Sequence, residues 1–141
     1  MTTGAYPQQP IVAVGAVVIH QNRVLLVRRG KQPAKGDWAI PGGRVELGER
    51  MRTAAVREVL EETGVSIQPG ELIYYFETIQ PDPDGKIQFH YVIFDFMATY
   101  LAGEPNPQDD AADARWIAPD GIQAFGLNPR TLDLLKQIGF I

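Results

Sequence analysis

Arg50 to Thr63 contains neither proline nor glycine, and the run stops at Gly64. A stretch that long without a breaker, closed by a residue suited to the left-handed conformation, predicts a helix of about four turns. The segment leading into it, Pro41–Arg50, reads PGGRVELGER and cannot extend that helix backwards, because its proline and glycines make a loop. The chain is thus committed to a glycine-rich loop opening directly into a helix, and the remaining elements must be arranged around that unit.

On a helical wheel with Met51 at zero, Glu61, Glu58 and Glu62 fall at about 280°, 340° and 20°, with Ala54 and Ala55 among them at about 300° and 40°. Val59, Val56 and Leu60 fall at about 80°, 140° and 180°, an apolar stripe expected to meet a sheet while the carboxylates look toward the space the loop surrounds. Glutamates on a helix are ordinarily a solvated face. Glu58 and Glu62 are like charges at i,i+4, costing roughly 0.2–0.5 kcal/mol, and the helix dipole disfavours anions near its end by a similar amount. Costs that small do not decide between the readings. The conjunction with Gly42, Gly43 and Glu49 does: paired glycines let the backbone approach a ligand, and Glu49 adds a carboxylate ahead of the helix. Clustered carboxylates and a backbone carbonyl suit Mg²⁺ or Mn²⁺, which retain waters and accept phosphate oxygens. Zinc would bring nitrogen or sulfur ligands, and the chain has no cysteine and only His20 and His90.

Around this unit, Ile11–Ile19 and Val24–Arg29 read as adjacent strands or a hairpin, and Trp38–Ile40 as a short apolar piece halted by Pro41. Ile67–Ile79 and Gln88–Tyr100 are strand candidates joined by the turn-rich Pro81–Gly85, and Ala114–Ile117 is a short strand. Asn128-Pro129 reads as an N-cap and first helical position, opening a helix to about Ile138 with Leu132, Leu135 and Ile138 on one face. Strands of mixed spacing with one central and one terminal helix predict an α/β fold, a mixed sheet covered on both faces. The 141 residues make one domain, 11–141, behind a flexible tail over 1–10. A net charge of −4 gives no attraction for a nucleic acid polymer, and no apolar run reaches the length of a membrane span, so a cytoplasmic protein is expected.

Gly43, five residues, Glu49, seven residues, then REVLEETGV over Arg57–Val65 resembles the full signature of the Nudix hydrolase family without a departure. The resemblance implies an α/β/α sandwich with a loop–helix–loop site and metal-dependent hydrolysis of a nucleoside diphosphate linked to another moiety. Carried over by position, Glu58, Glu61 and Glu62 are the metal ligands for two or three Mg²⁺ or Mn²⁺ ions, assisted by the carbonyl of Gly43 or Gly42. Glu49 and Arg57 are the pair that pins loop to helix, Arg57 having the plainer alternative of an i,i+4 partner for Glu61. The base that activates water is expected inside the motif, at Glu58 or Glu61, with Asp110 as an auxiliary contact. Asp109, Asp110 and Asp113 otherwise read as a solvated loop.

For the substrate, Pro81 lies sixteen residues beyond Val65, the offset at which the ADP-ribose pyrophosphatase branch has a proline. ADP-ribose or an ADP-sugar is therefore the leading small nucleotide substrate. A nucleoside triphosphate hydrolysed to pyrophosphate, as in MutT-like members, and a non-catalytic nucleotide sensor are the alternatives. Asn128, just before the last helix, stands near the position from which some oxidised-purine hydrolases read the base, and is also an N-cap. Arg28 and Arg29 alternate in facing, so at most one of them readily reaches phosphate and the other is expected to be exposed. Glu46 is either a substrate-facing loop residue or a solvated charge. Tyr74, Tyr75, Phe76, Phe89 and Tyr91 supply aromatics for the core or a base platform. Compact relatives include monomers and homodimers.

Overall fold

The structure is a computed structural model describing residues 4–141. Seven strands and two helices run β1 (Ile11–His20), β2 (Arg23–Arg29), β3 (Trp38–Ala39), β4 (Gly42–Arg44), α1 (Met51–Thr63), β5 (Ser66–Pro81), β6 (Ile87–Ala102), β7 (Ala111–Ile117) and α2 (Pro129–Gln137). A short 3-10 helix over Pro119–Ala124 precedes α2 and has no counterpart in the sequence reading. The strands form one mixed sheet in the order β3-β2-β1-β6-β5, with β4 beside β1 and β7 beside β2. The β1–β6 pairing is parallel, whereas β1–β2, β1–β4, β2–β7 and β5–β6 are antiparallel. This is the mixed α/β arrangement of a Nudix-type α/β/α sandwich.

Strand β1 explains the layering. Alternate side chains point to opposite faces of a strand, and a strand covered on both faces must be apolar at every position. Ala16 and Val18 join Leu25, Val59, Val65 and Ile67 on the α1 side. Val17 joins Val24, Leu26, Ile117, Leu134 and Leu135 on the α2 side. The continuous run IVAVGAVVI is thus the signature of a strand between two helices.

Helix α1 ends as expected, with Gly64 in the left-handed region at φ 75°. Its buried side differs from the expected stripe. Ala54, Ala55, Val59, Glu62 and Thr63 are buried and Val56 packs beside them, but Leu60 is 46% exposed. The methyl-sized alanines bring the helix close to the sheet, so the arc holding Glu58 and Glu62 and the sheet-facing arc are one side of the helix, not two. In α2 the buried residues are Thr131, Leu134 and Leu135, with Leu132 and Ile138 at the margin of the same cluster.

Of the segment read as a flexible tail, residues 1–3 lie outside the described residues. Beyond them, the Tyr6 N–H donates to the Gln88 carbonyl at 2.7 Å and its hydroxyl to Asp82 Oδ2 at 2.8 Å, tying the segment to the β5–β6 hairpin. No helix among the described residues is long and apolar enough to cross a membrane.

Candidate active site

The glycine pair, read from sequence as loop, is strand: Gly42 and Gly43 pair antiparallel with Gly15 and Val14. The physical reason is proximity. A Cβ on Gly42 would collide with the Val14 carbonyl oxygen and come within 2.8 Å of Gly15 Cα, so only glycine allows β4 to lie this close to β1. A Cβ on Gly43 would instead collide with the Glu58 carboxylate. The two glycines thus fix different things, Gly42 the backbone pairing and Gly43 the space for an acidic side chain.

Arg57 is the hub between strand, loop and helix. Its Nε and Nη2 donate to the two Glu49 carboxylate oxygens at 2.8 and 2.9 Å, a bidentate pair, and Nη2 also donates to the Arg44 carbonyl at 2.9 Å. Its Nη1 donates to Glu58 Oε1 at 2.7 Å and to Glu61 Oε2 at 3.2 Å. The loop partner and the i,i+4 partner are therefore both present. The guanidinium hydrogen bonds hold the Glu49 carboxyl down at about 2, against the desolvation that opposes them.

Glu62, one turn beyond Glu58, lies on the buried arc of the helix and has a different partner. It is 9% exposed, and its Oε1 accepts from the Gly42 N–H at 2.8 Å. Burial pushes its carboxyl up to about 8; the Gly42 hydrogen bond and Arg29 oppose the shift, while Glu58 and Asp110 add to it. Burial also raises Glu58, outweighing its bond to Arg57. The loop after β6 closes over this end of α1: the N–H groups of Asn106 and Gln108 donate to the carbonyls of Thr63 and Glu62, each at 2.8 Å, satisfying the exposed helix end. That closure carries Asp109 and Asp110 to the same cleft, where Asp110 pairs with Lys31 at 2.9 Å.

One cleft of about 330 Å³ lies between the sheet and α2, a volume suited to a small ligand. Gly42, Gly43, Glu58, Glu62, Arg29, Asp109, Asp110 and Asn128 all border it. Other expected site residues do not. Arg28 is exposed, and the alternation of β2 turns it away while bringing Arg29 in. Glu46 has a 71% exposed side chain, 3.9 Å from Arg57. Glu61 lies at the rim, held by Arg57. Asp113 accepts from the Ala114 N–H and pairs with Arg115, outside the cleft. Asn128 accepts from the Arg130 N–H as the cap of α2 and donates to Asp37 Oδ2 at 3.4 Å, so it serves the helix end and the cleft wall together.

Among the described residues no group of three or more acidic or imidazole side chains is arranged as a ready metal cluster. Glu58 and Glu61 share Arg57 while Glu62 turns to Gly42. The donor chemistry nonetheless fits a hard divalent cation: the acidic end of the cleft offers only oxygen donors, and Gly43 leaves backbone beside the Glu58 carboxylate. Wall residues not singled out from the sequence include Thr78, Ile93 and Asp95 from β5 and β6 and Arg130 from α2, whose guanidinium lies 4.4 Å from the Phe76 ring centroid. A charged residue inside the apolar run YVIFDFMA is the one signal that marks Asp95 in the sequence.

Residues 9–138 match the NUDIX domain family. An ADP-ribose pyrophosphatase from Methanocaldococcus jannaschii is 36% identical over 108 residues, covering 77% of this chain and 62% of that protein. The chain thus spans less than two thirds of that relative's length. The crystal structure of a MutT NUDIX hydrolase from Burkholderia pseudomallei superposes with a TM-score of 0.79 at 29% identity, covering 93% of this chain and 99% of that one. A bifunctional NMN adenylyltransferase/ADP ribose pyrophosphatase from Francisella tularensis, complexed with AMP and a Mn ion, gives a TM-score of 0.66 at 25% identity over 92% of this chain and 41% of that one.

Proposed function

The chain belongs to the Nudix family, a hydrolase family acting on phosphoanhydride bonds of nucleotide-derived substrates, and on that premise we propose that it cleaves ADP-ribose or a related ADP-sugar to AMP and a sugar phosphate. The observation that carries the reading is the division of the cleft: acidic side chains and Gly43 at one end, and a wall of Phe76, Thr78, Tyr91 and Ile93 at the other. A phosphate-bearing middle and a flat base fit that division, and the archaeal relative named as an ADP-ribose pyrophosphatase supports the choice of base and sugar.

We assign Glu58, Glu61 and Glu62, with the Gly43 carbonyl, as the residues that hold two or three Mg²⁺ or Mn²⁺ ions. When bound, such ions neutralise phosphoryl oxygens and make water a better nucleophile. The protein's own share is positional and acid–base. Arg57, fixed by Glu49 and the Arg44 carbonyl, sets where Glu58 and Glu61 stand. Glu58 is the glutamate of that pair that lies in the cleft, and that position suits it to take a proton from the attacking water. Arg29 supplies positive charge for the phosphates, and Asp110 a further acidic contact beside Glu62.

A product-resolved assay with Mg²⁺ tests this: ADP-ribose gives AMP and ribose 5-phosphate, and Glu62→Gln lowers turnover by well over tenfold with the fold intact. Untouched ADP-ribose beside rapid turnover of another nucleotide rejects the substrate. The close superposition on a MutT NUDIX hydrolase favours a second reading, triphosphate to monophosphate, which inorganic pyrophosphate among the products identifies.

A further inference from the structure

Asp95 lies in the middle of β6 between Phe94 and Phe96, and is only 3% exposed. Its neighbours in register are Gly15 on β1 and Tyr74 on β5. Its carboxyl group makes no hydrogen bond or ion pair with any described residue. Among the described residues every fully sealed polar side-chain atom has a partner, so the unpartnered Asp95 oxygens are ones that open on the cleft, which Asp95 lines.

Gly15 is what makes room for it. A Cβ at Gly15 would collide with Asp95 Oδ1 and come within 2.9 Å of Ile40 Cδ1, although Gly15 has no left-handed φ that would call for glycine. The carboxyl group therefore lies over bare backbone, on the face that also carries Ile93 and Tyr91 and, across the β5–β6 pair, Phe76 and Thr78. A buried carboxyl group without a partner opposes folding, and that cost is offset if a ligand brings the missing hydrogen bonds.

We propose that Asp95 is a specificity-determining residue that accepts a hydrogen bond from the exocyclic amino group of the substrate's nucleobase, which is the N6 amino group of adenine on the reading of the preceding subsection. A carboxyl oxygen accepts from an amino N–H whether the group is ionised or neutral. Burial pushes Asp95 up to about 7, so a substantial neutral fraction is present at neutral pH; its O–H donates to the adjacent ring nitrogen N1. Adenine offers that donor and acceptor side by side. Phe76, with Arg130 over its ring, and Tyr91 supply flat surface on the same cleft.

Titration calorimetry tests this, with AMP and purine riboside 5′-monophosphate, the same ring without the amino group, added to wild type, Asp95→Ala and Asp95→Asn in Mg²⁺. Wild type is expected to prefer AMP by roughly fivefold or more. Asp95→Ala binds the two equally, and Asp95→Asn, whose amide oxygen accepts the same N–H, regains the preference; a packing role would weaken both nucleotides alike and show no such rescue. Asp95→Ser replaces Asp95→Ala if the latter does not fold. Equal affinities in wild type, an unchanged preference without the carboxyl group, or no AMP binding at millimolar concentration overturns the proposal. Because binding is measured, an AMP preference without ADP-ribose turnover rejects the hydrolysis reading alone, and turnover without the preference rejects the role of Asp95 alone.

Discussion

Two neighbouring glycines should respond to the same substitution in opposite ways. In Gly42→Ala the new methyl meets only backbone: the Val14 carbonyl oxygen, Gly15 Cα at 2.8 Å and the Val14 carbonyl carbon at 3.0 Å. None of these can rotate aside, so β4 must lift from β1, adding an overpacking cost of about 1–3 kcal/mol. The lift also strains the Gly42 N–H bond to the Glu62 carboxyl group, which is mostly neutral at neutral pH, a type worth about 0.5–1.5 kcal/mol. A net loss of about 3 kcal/mol is expected, lowering Tm by roughly 10 °C in a domain of this size. In Gly43→Ala the methyl meets the flexible end of Glu58, with Oε1 at 2.8 Å among its contacts. Glu58 swings away and forfeits one bond from Arg57, which keeps Glu49 and the Arg44 carbonyl. The expected cost is about 1 kcal/mol or less, while displacement of the carboxylate lowers turnover on the order of a hundredfold. Thermal unfolding and initial rates of product release, measured on both variants, separate these outcomes. Equal destabilisation of the two, or wild-type kcat in Gly43→Ala, would refute the division of labour between the glycines.

The Glu49–Arg57 pair predicts a pH dependence. Arg57 holds the Glu49 carboxyl at about 2 in the folded state, below its ordinary value of 4.5, so its contribution is whole above the ordinary range and is lost as pH falls toward 2. Glu49→Gln should lower the urea midpoint at neutral pH and flatten its decline between about pH 5 and 2; a decline parallel to wild type contradicts the clamp. At the start of α2, Asn128→Ala removes the acceptor for the Arg130 N–H, 3.0 Å away, and should cost about 1 kcal/mol in unfolding free energy, a loss that Asn128→Ser largely restores. An unchanged midpoint would mean the cap contributes nothing.

The reaction-bearing unit was legible because its signals are local. A breaker-free run ending at Gly64 marks α1, Asn128-Pro129 marks α2, and continuous β-branched and aliphatic runs around a short connection mark the β1–β2 hairpin. The packing side of α1 was not, because hydrophobicity alone ranks Leu60 above Ala54 and Ala55, whereas close approach to the sheet favours the smaller residues and leaves Leu60 outside. Strand β4 escaped for a related reason: Gly42 and Gly43 are breakers by propensity, and the pairing with β1 that overrides it joins residues distant in sequence. Within the site, the Glu49–Arg57 partnership was expected from the resemblance to the Nudix signature, and the bidentate pair is present. The facing of Arg28 and Arg29 was narrowed to one of the two by strand alternation but needed the β2–β7 pairing to decide which. Asp95 was visible only as an anomaly, since one carboxylate in an apolar strand says nothing of where its oxygens open.

Beside Val59, helix α1 is seated on the sheet by two methyl groups, those of Ala54 and Ala55, both fully buried. They act as a spacer of minimum thickness. A bulkier residue at either place raises the whole cylinder, and with it Glu58 and Glu62, by a distance comparable to the tolerance of the chemistry. Two inert positions that touch neither phosphate nor cation thereby regulate how deep the acidic groups stand, and they offer an engineer a graded adjustment of rate that leaves every reacting atom in the sequence untouched.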